Sequence, residues 1–221
     1  GEIVALYGLV GSGVADIARA LFGVAPADRG TVSVDGRVVR LRTPHDATRA
    51  GIAMLPGNRA VQGVFASKSI AFNLSSAHLG YLSRWGWLDR ARERRVAERL
   101  MARLRVRARG PAMLVSALSG GNQQKTVIAR QLVRTPRVLV LEEPTQGVDV
   151  GAKEEIHRIV TELAESGSSA VVLVSSDLPE VLRLATRVLV VRRGKVVAEF
   201  DRGARQADVL AAAAGDQERQ R

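Results

Sequence analysis

The chain has 221 residues, a formal net charge of +11, 46% hydrophobic residues and no cysteine. This length suits one domain with a sizeable core, and the hydrophobic content excludes a chain that is disordered throughout. The lack of cysteine excludes disulfides, thiolate metal sites and a cysteine nucleophile, and no apolar run reaches the roughly 20 residues of a membrane span.

Strands and helices are predicted to alternate at both ends of the chain. Short apolar runs predict strands at 3–7, 31–34, 37–41, 52–55, 137–142, 169–174, 187–192 and 195–200. Helical periodicity predicts helices at 14–22, 45–50, 88–105, 122–134, 152–166 and 178–185. This alternation predicts an α/β fold with a parallel-sheet core, and Asp35-Gly36 and Arg193-Gly194 predict hairpins. The chain starts inside a strand, so we expect one or more N-terminal strands to be missing.

The first strand leads into a glycine-rich turn and then a helix. The turn consists of Gly8, Leu9, Val10, Gly11, Ser12, Gly13, Val14 and Ala15. Such a turn can wrap a phosphate with backbone N–H groups at the helix N-terminus, although many glycine-rich turns bind nothing. A working phosphate loop has lysine and then serine or threonine where this chain has Val14 and Ala15.

Two later segments strengthen the interpretation of this turn as part of a phosphate site. Ser119, Gly120 and Gly121 stand at the start of a predicted helix, where they can donate hydrogen bonds to an anion. An apolar strand then ends in Glu142 and Glu143, the kind of position from which carboxylates hold Mg²⁺ and polarise water. Gly147, Val148 and Asp149 then close the next loop. The four segments, in this order and spacing, are highly specific for a phosphate-cleaving site.

The segments GLVGSG, LFG, LSGGNQQK, EEPTQGVDVGAK and SSDLPEVL together resemble the ATP-binding-cassette (ABC) ATPases over nearly the whole chain. Among these the chain is similar to the second, C-terminal cassette of two-cassette ATPases from bacterial monosaccharide importers. The resemblance implies a P-loop NTPase fold with a nucleotide-binding lobe at 1–59 and 135–200. It also implies a helical lobe with the signature motif at 60–134, and a tail at 201–221.

The resemblance further implies roles for individual residues. In this family two cassettes pack head to tail, so that each ATP lies between the phosphate loop of one cassette and the signature motif of the other. Ser119, Gly120 and Gly121 match the signature motif, and Asp149 would lie at the seam between cassettes. Glu143 matches the carboxylate that polarises the attacking water, and Glu142 replaces a magnesium-linked aspartate with a side chain one methylene longer.

The residues of the chain's own nucleotide face depart from the family pattern. Val14 and Ala15 offer neither a cation nor a hydroxyl, Gly57 replaces a glutamine or acid, and Ser176 replaces the switch histidine. We therefore expect an asymmetric role, in which this cassette supplies its signature motif in trans and its own loop is catalytically impaired. The isolated domain should hydrolyse ATP weakly or not at all, and whether its loop binds ATP and Mg²⁺ stays open.

The implied activity is ATP hydrolysis coupled to sugar import, at the cytoplasmic face of the bacterial plasma membrane. The implied partners are an N-terminal cassette of the same polypeptide or a second copy, permease subunits, and indirectly an extracytoplasmic sugar-binding protein. The segment from Val61 to Leu79 matches the permease-contacting part of the family. There, Phe65, Ile70 and Phe72 could line a groove or belong to the core.

Two alternatives are a scaffold cassette that binds no nucleotide and an ABC ATPase that acts on nucleic acid or ribosomes. The basic balance suggests the second, because the stretch from Arg84 to Arg109 carries ten arginines against three acids. A solvated helix face explains most of these arginines equally well, and no series of stacking aromatics interleaves them. We therefore expect no nucleic-acid partner, and Trp85 and Trp87 are interpreted as an anchor at the start of the helix.

Overall fold

The computed structural model describes residues 1–215, and its contacts divide the chain into two compact units. The sheet unit comprises residues 1–54, 136–143 and the described chain from 160 onward. The helical unit comprises residues 55–135 and 144–159. Residues 144–159, assigned from the sequence to the nucleotide-binding lobe, thus group with the helical residues. The last part of the predicted tail, 216–221, lies outside the described residues.

The sheet unit is built on a six-stranded sheet with the strand order β10-β9-β1-β8-β7-β4. Its strands are β1 (Ile3–Tyr7), β4 (Ile52–Leu55), β7 (Val138–Glu142), β8 (Ala170–Val174), β9 (Arg187–Arg192) and β10 (Lys195–Asp201). Strand β1 pairs in parallel with β8 and β9, β7 pairs in parallel with β8, and β10 is antiparallel to β9. The expected α/β fold with a mainly parallel sheet is confirmed.

Helices and a small hairpin complete the sheet unit. They are α1 (Val14–Leu21), β2 (Val32–Val34), β3 (Arg37–Val39), α2 (Pro44–Arg49), α8 (Leu178–Leu184) and α9 (Gln206–Ala214). One core cluster includes Leu6, Ala18, Val34, Val140 and Val174, which are all buried. The apolar face of α1 thus packs on the sheet, and this packing fixes where the turn before α1 meets the end of β1.

The helical unit consists of short helices and a second hairpin. Its elements are α3 (Ile70–Ser75), α4 (Leu79–Leu82), β5 (Ser83–Arg84), β6 (Trp87–Leu88), α5 (Arg90–Arg103) and α6 (Gly120–Gln131), with a π-helical turn at Arg59–Gly63 and a 3₁₀ turn at Val115–Ala117. Helix α7 (Val150–Glu165) begins in this unit and ends in the sheet unit. No helix within residues 1–215 is long and apolar enough to span a bilayer.

Two-residue turns with positive φ close three hairpins. The predicted turns are confirmed, with φ values of 50° and 73° at Asp35 and Gly36, and 50° and 74° at Arg193 and Gly194. The third turn, Trp85-Gly86, joins β5 to β6 and was not predicted from the sequence. Helix α5 therefore begins at Arg90 and not at the predicted residue 88, and Trp85 and Trp87 lie in the hairpin before it.

Candidate functional site

The glycine-rich turn after β1 adopts a compact loop whose shape depends on glycine. Gly11 and Gly13 have φ values of 83° and 95°, which a side chain would strain. A Cβ atom on Gly8 would lie 2.4 Å from the Ser12 hydroxyl and from the Val191 carbonyl oxygen. Ser12 is only 6% exposed, and its hydroxyl has no hydrogen-bond partner among the described residues. The loop therefore holds one unsatisfied hydroxyl beside the N-terminus of α1.

Val14 and Ala15, at the end of this loop, contribute neither a cation nor a hydroxyl to it. Val14 packs against the apolar core cluster of the sheet unit, and Ala15 ends in a methyl group. Asp16 points its carboxylate at Arg19, 3.5 Å away on the next turn. The loop thus offers backbone donors and the Ser12 hydroxyl. It has no cation at position 14 for phosphate oxygens and no hydroxyl at position 15 for Mg²⁺. These residues do not fit a Mg²⁺-nucleotide held as the family pattern requires.

The two acids at the end of β7 lie at the same edge of the sheet as the glycine loop. Leu6 of β1 and Glu142 of β7 both pair with Val174 of the intervening strand β8, so the two strands end level with each other. Two strand spacings, or about 10 Å, separate the ends of β1 and β7. Ser176 follows β8 between them. The structure therefore brings together the loop, both acids and the serine in place of the switch histidine.

Glu143 is held in a strained backbone conformation by specific hydrogen bonds. Its φ is 46°, which is unusual for a residue with a side chain, and its N–H donates to the Val174 carbonyl oxygen at 2.8 Å. The Ser176 N–H donates to Glu143 Oε1 at 2.7 Å. Burial raises the pKa of Glu143 above its ordinary value, and the bonds from Ser176 oppose this rise. The carboxylate is thus positioned, partly dehydrated and suited to accept a proton.

The signature residues form a second cluster at the N-terminus of α6, within the helical unit. Ser119 precedes the 12-residue helix, and its hydroxyl accepts a hydrogen bond from Asn122 Nδ2 at 2.9 Å. Asp149 caps α7 by accepting from the Ala152 N–H at 2.8 Å. A pocket of about 130 Å³ is lined by Ser119, Gly121 and Asp149 among others. These predicted residues are therefore neighbours.

A side chain would be crowded at Gly120 and has no room at Gly121. A Cβ on Gly120 would meet the Gly147 carbonyl oxygen at 3.1 Å and Arg59 Nη2 at 3.2 Å. A Cβ on Gly121 would lie 2.3 Å from the Ala152 Cβ, far inside van der Waals contact. The close approach of α6 to α7 thus fixes the direction of the exposed N–H groups at the start of α6.

One further residue of this cluster, Lys125, was missed from the sequence. Its side chain is 2% exposed, and its Nζ donates to Glu155 at 2.7 Å and to the Arg105 carbonyl oxygen at 2.6 Å. The hydrogen bond from Lys125 is the largest cause of a lowered pKa at Glu155. Lys125 ties α6 to α7 beside the signature pocket, and it supplies a positive charge at the pocket wall.

A cluster of metal-binding side chains is absent from the part of the chain that the structure describes. No group of three or more histidines, aspartates and glutamates within residues 1–215 could hold a metal ion. Glu142, the metal candidate from the sequence, is half-buried at the end of β7 without such a group around it.

The protein-family model described as ABC transporter matches residues 1–146 of this chain. The chain therefore belongs to the ABC transporter family. The fold agrees, because a dimeric ATP-binding cassette solved in a post-hydrolysis state with ADP and phosphate superposes with a TM-score of 0.75 over 92% of this chain and 87% of that one, at 21% identity. A nucleotide-free cassette from an ABC transporter superposes with a TM-score of 0.80 over 98% of this chain and 85% of that one, at 19% identity.

Within this family, the chain is similar to curated proteins named for sugar import. The chain is 44% identical to the ribose import ATP-binding protein of Chromobacterium violaceum over 97% of its own length, but it spans only 43% of that relative. It is also 44% identical to the xylose import ATP-binding protein of Paraburkholderia xenovorans, in a match that covers 96% of this chain and 41% of that relative. A ribose import ATP-binding protein of Streptomyces avermitilis is 46% identical over 97% of this chain and 43% of its own. The chain thus spans less than half the length of these relatives.

Proposed function

We propose that this chain is the second cassette of an ATP-driven sugar importer, and that its main contribution to catalysis is the signature motif. The single observation that carries this proposal is the contrast between the two clusters. At the glycine loop, the side chains of Val14 and Ala15 offer only apolar atoms, and Val14 packs against the core. At the start of α6, Ser119 and the packed glycines keep the donors that a terminal phosphate needs.

The chemistry of the chain's own loop supports impaired turnover there. Phosphoryl transfer depends on positioning and on cations that stabilise the charge spread over the phosphate oxygens. Loss of one such electrostatic stabiliser costs about 10²–10³ in rate. Here the cation at 14, the hydroxyl at 15 and the imidazole at 176 are all replaced, while Glu143 remains as a water-polarising carboxylate. We infer that this face turns over negligibly, whether or not its backbone donors still bind phosphate.

The signature face can act on an ATP held by another cassette. The first N–H groups of α6 lack helical acceptors, and the helix dipole places a partial positive charge at this end. The Ser119 hydroxyl lies beside them, and Asn122 orients it from the first turn of the helix. When two cassettes close, these donors would stabilise the charge on the terminal phosphate. Asp149, beside the same pocket, would lie at the seam between the cassettes.

We propose that closure moves permease subunits, and that an extracytoplasmic binding protein supplies the sugar. The relatives named for ribose and xylose import support this class of solute. A permease contact is supported by Phe65 and Phe72, which are 51% and 39% exposed and pack edge to face at 5.5 Å. Ile70 is fully buried and belongs to the core. The protein would then work at the cytoplasmic face of the plasma membrane.

The test compares ATP turnover by this chain alone and joined to an intact partner cassette. We expect little hydrolysis by the chain alone and competent hydrolysis by the pair, lost on Ser119→Ala and largely kept on Glu143→Gln. Rapid hydrolysis by the chain alone, unaffected by Glu143→Gln, would contradict the proposal. Titration with ATP at fixed Mg²⁺ distinguishes a weak nucleotide site at the loop from a scaffold that binds none.

A further inference from the structure

The hairpin formed by β5 and β6 exposes the only two tryptophans of the chain. Trp85 occupies the first position of its turn and is 88% exposed, while Trp87 lies opposite Arg84 and is 82% exposed. Large apolar side chains exposed to this degree contribute little to the core of a fold. Both indoles are therefore available to a partner.

The turn itself is an unusual place for an indole. A two-residue turn of this kind needs positive φ at both positions, and asparagine, aspartate or glycine normally supplies the first. Trp85 has a φ of 55° and Gly86 a φ of 82°. Holding a bulky residue in the left-handed region is costly, and nothing in the hairpin recovers that cost by burying the ring. The side chain is thus better explained by a contact outside the chain.

Strong positive charge follows directly after this hairpin. The three acids between Arg84 and Arg109 are engaged locally: Asp89 caps α5, Glu93 is buried against Ser75 and Arg90, and Glu98 pairs with Arg94. The exposed arginines beyond them form no ion pair with a carboxylate of residues 1–215. They include Arg84, Arg95, Arg99 and Arg103, and the exposed Arg134, further along the chain, likewise forms none.

Three of these arginines surround one pocket. Arg99 and Arg103 of α5 and Arg134, beyond the end of α6, line a pocket of about 500 Å³ together with Tyr81. The guanidinium carbons of Arg92 and Arg134 lie 4.3 Å and 5.6 Å from the centre of the Tyr81 ring. The pocket is large enough for a phosphate-bearing headgroup, and its walls carry positive charge without a neutralising carboxylate among the lining residues.

We propose that the hairpin and this basic pocket bind the surface of an anionic lipid bilayer. Tryptophan favours the boundary between headgroups and acyl chains, and arginines beside it attract anionic headgroups. A nucleic acid fits less well, because Tyr81, the aromatic residue that lines the basic pocket, is already in contact with Arg92 and Arg134, and neither exposed indole lines that pocket. The occupant is therefore lipid, with Trp85 and Trp87 at the interface and headgroups in the pocket.

The test uses the intrinsic fluorescence of the purified protein, because Trp85 and Trp87 are its only reporters. Vesicles of phosphatidylcholine alone are compared with vesicles that also contain phosphatidylglycerol. We expect an emission blue shift and at least about tenfold tighter binding on the anionic vesicles, weakened by salt. The variants Trp85→Phe and Trp87→Phe each leave one reporter and show whether both indoles enter the interface.

Substitutions then separate the two parts of the surface by co-sedimentation with the vesicles. Arg99→Ala with Arg103→Ala should weaken binding about 25-fold, since each arginine near an anionic surface is worth about fivefold. Trp85→Ser with Trp87→Ser should weaken it more than about tenfold. The matched control is Arg37→Ala with Arg40→Ala, which removes the same charge from an exposed hairpin of the sheet unit and should weaken binding less than Arg99→Ala with Arg103→Ala.

Three results would overturn the proposal. One is an unchanged tryptophan spectrum on anionic vesicles, and another is an equal loss of binding in the Arg37 and Arg40 control. The third is a blue shift that single-stranded DNA produces and vesicles do not, which would assign the surface to nucleic acid. None of these results depends on ATP turnover, so they leave the proposed cassette function unaffected.

Discussion

The packing of Gly121 against Ala152 predicts a large effect from a single methyl group. In Gly121→Ala the new Cβ would lie 2.3 Å from the Ala152 Cβ, whereas carbon atoms in contact stay about 3.5–4.0 Å apart. The two helices must therefore separate by about 1.2–1.7 Å at this point. Overpacking of this kind costs about 1–3 kcal/mol, and better helix propensity offsets at most about 1 kcal/mol of it.

The same displacement should reduce ATP turnover when the chain is joined to its partner cassette. It moves Ser119 and the first N–H groups of α6, and a misplacement of about 1 Å can cost about 10²-fold in rate. The assay is steady-state ATP hydrolysis, with thermal unfolding measured on the same preparations. We expect Gly121→Ala to lose about 10²-fold in rate while remaining folded.

The matched control removes the atom that clashes. In Gly121→Ala with Ala152→Gly, the new Cβ meets the Cα at position 152 at 3.7 Å and Asp149 Oδ2 at 3.8 Å, and both distances are ordinary contacts. The gain and loss of helix propensity also largely cancel in this pair. We expect most of the turnover to return. A wild-type rate in Gly121→Ala, or a double variant as slow as the single one, would refute this account of the signature helix.

Two further predictions concern stability. Burial raises the pKa of Glu143, and a carboxyl with a raised folded-state pKa destabilises the fold once it ionises, so Glu143→Gln should raise Tm at pH 8. The Tm difference between Glu143→Gln and wild type should fade as the pH falls towards about 4. A Tm difference that does not change with pH would contradict this prediction. Lys125→Met leaves Glu155 and the Arg105 carbonyl oxygen without their donor, and chemical denaturation should show a loss of about 1–3 kcal/mol at pH 7. Because Lys125 lowers the pKa of Glu155, this ion pair stabilises the fold at neutral pH, and the stabilisation should shrink when the pH falls below the ordinary pKa of a glutamate and Glu155 becomes protonated. A stability difference between wild type and Lys125→Met that stays the same at low pH would argue against this ion pair.

The strands and tight turns of the fold could be predicted because short apolar runs and turn residues indicate them within a few residues of sequence. All eight predicted strands are present, and Asp35-Gly36 and Arg193-Gly194 form turns of the expected kind. The hairpin at Trp85-Gly86 was missed because tryptophan is not a residue that signals positive φ. Helix α3 has only six residues, too few to show a helical period.

The candidate site could be predicted only where a motif is contiguous in sequence. The edge that brings the glycine loop to Glu142 and Glu143 follows from parallel pairing through β8, which the strand pattern already suggests. Lys125 could not be foreseen as a buried residue, because lysines are mostly exposed and its partner Glu155 lies 30 residues away. Only the packed structure shows that α6 and α7 share a charge pair beside the signature motif.

We propose that this cassette works through its signature face and not through its own loop. The most direct test measures ATP turnover for Ser119→Ala and Glu143→Gln side by side, with the chain joined to its partner cassette. We expect a loss of about 10²-fold or more for Ser119→Ala and a change of less than about threefold for Glu143→Gln. Loss of turnover in Glu143→Gln, with Ser119→Ala still active, would contradict it.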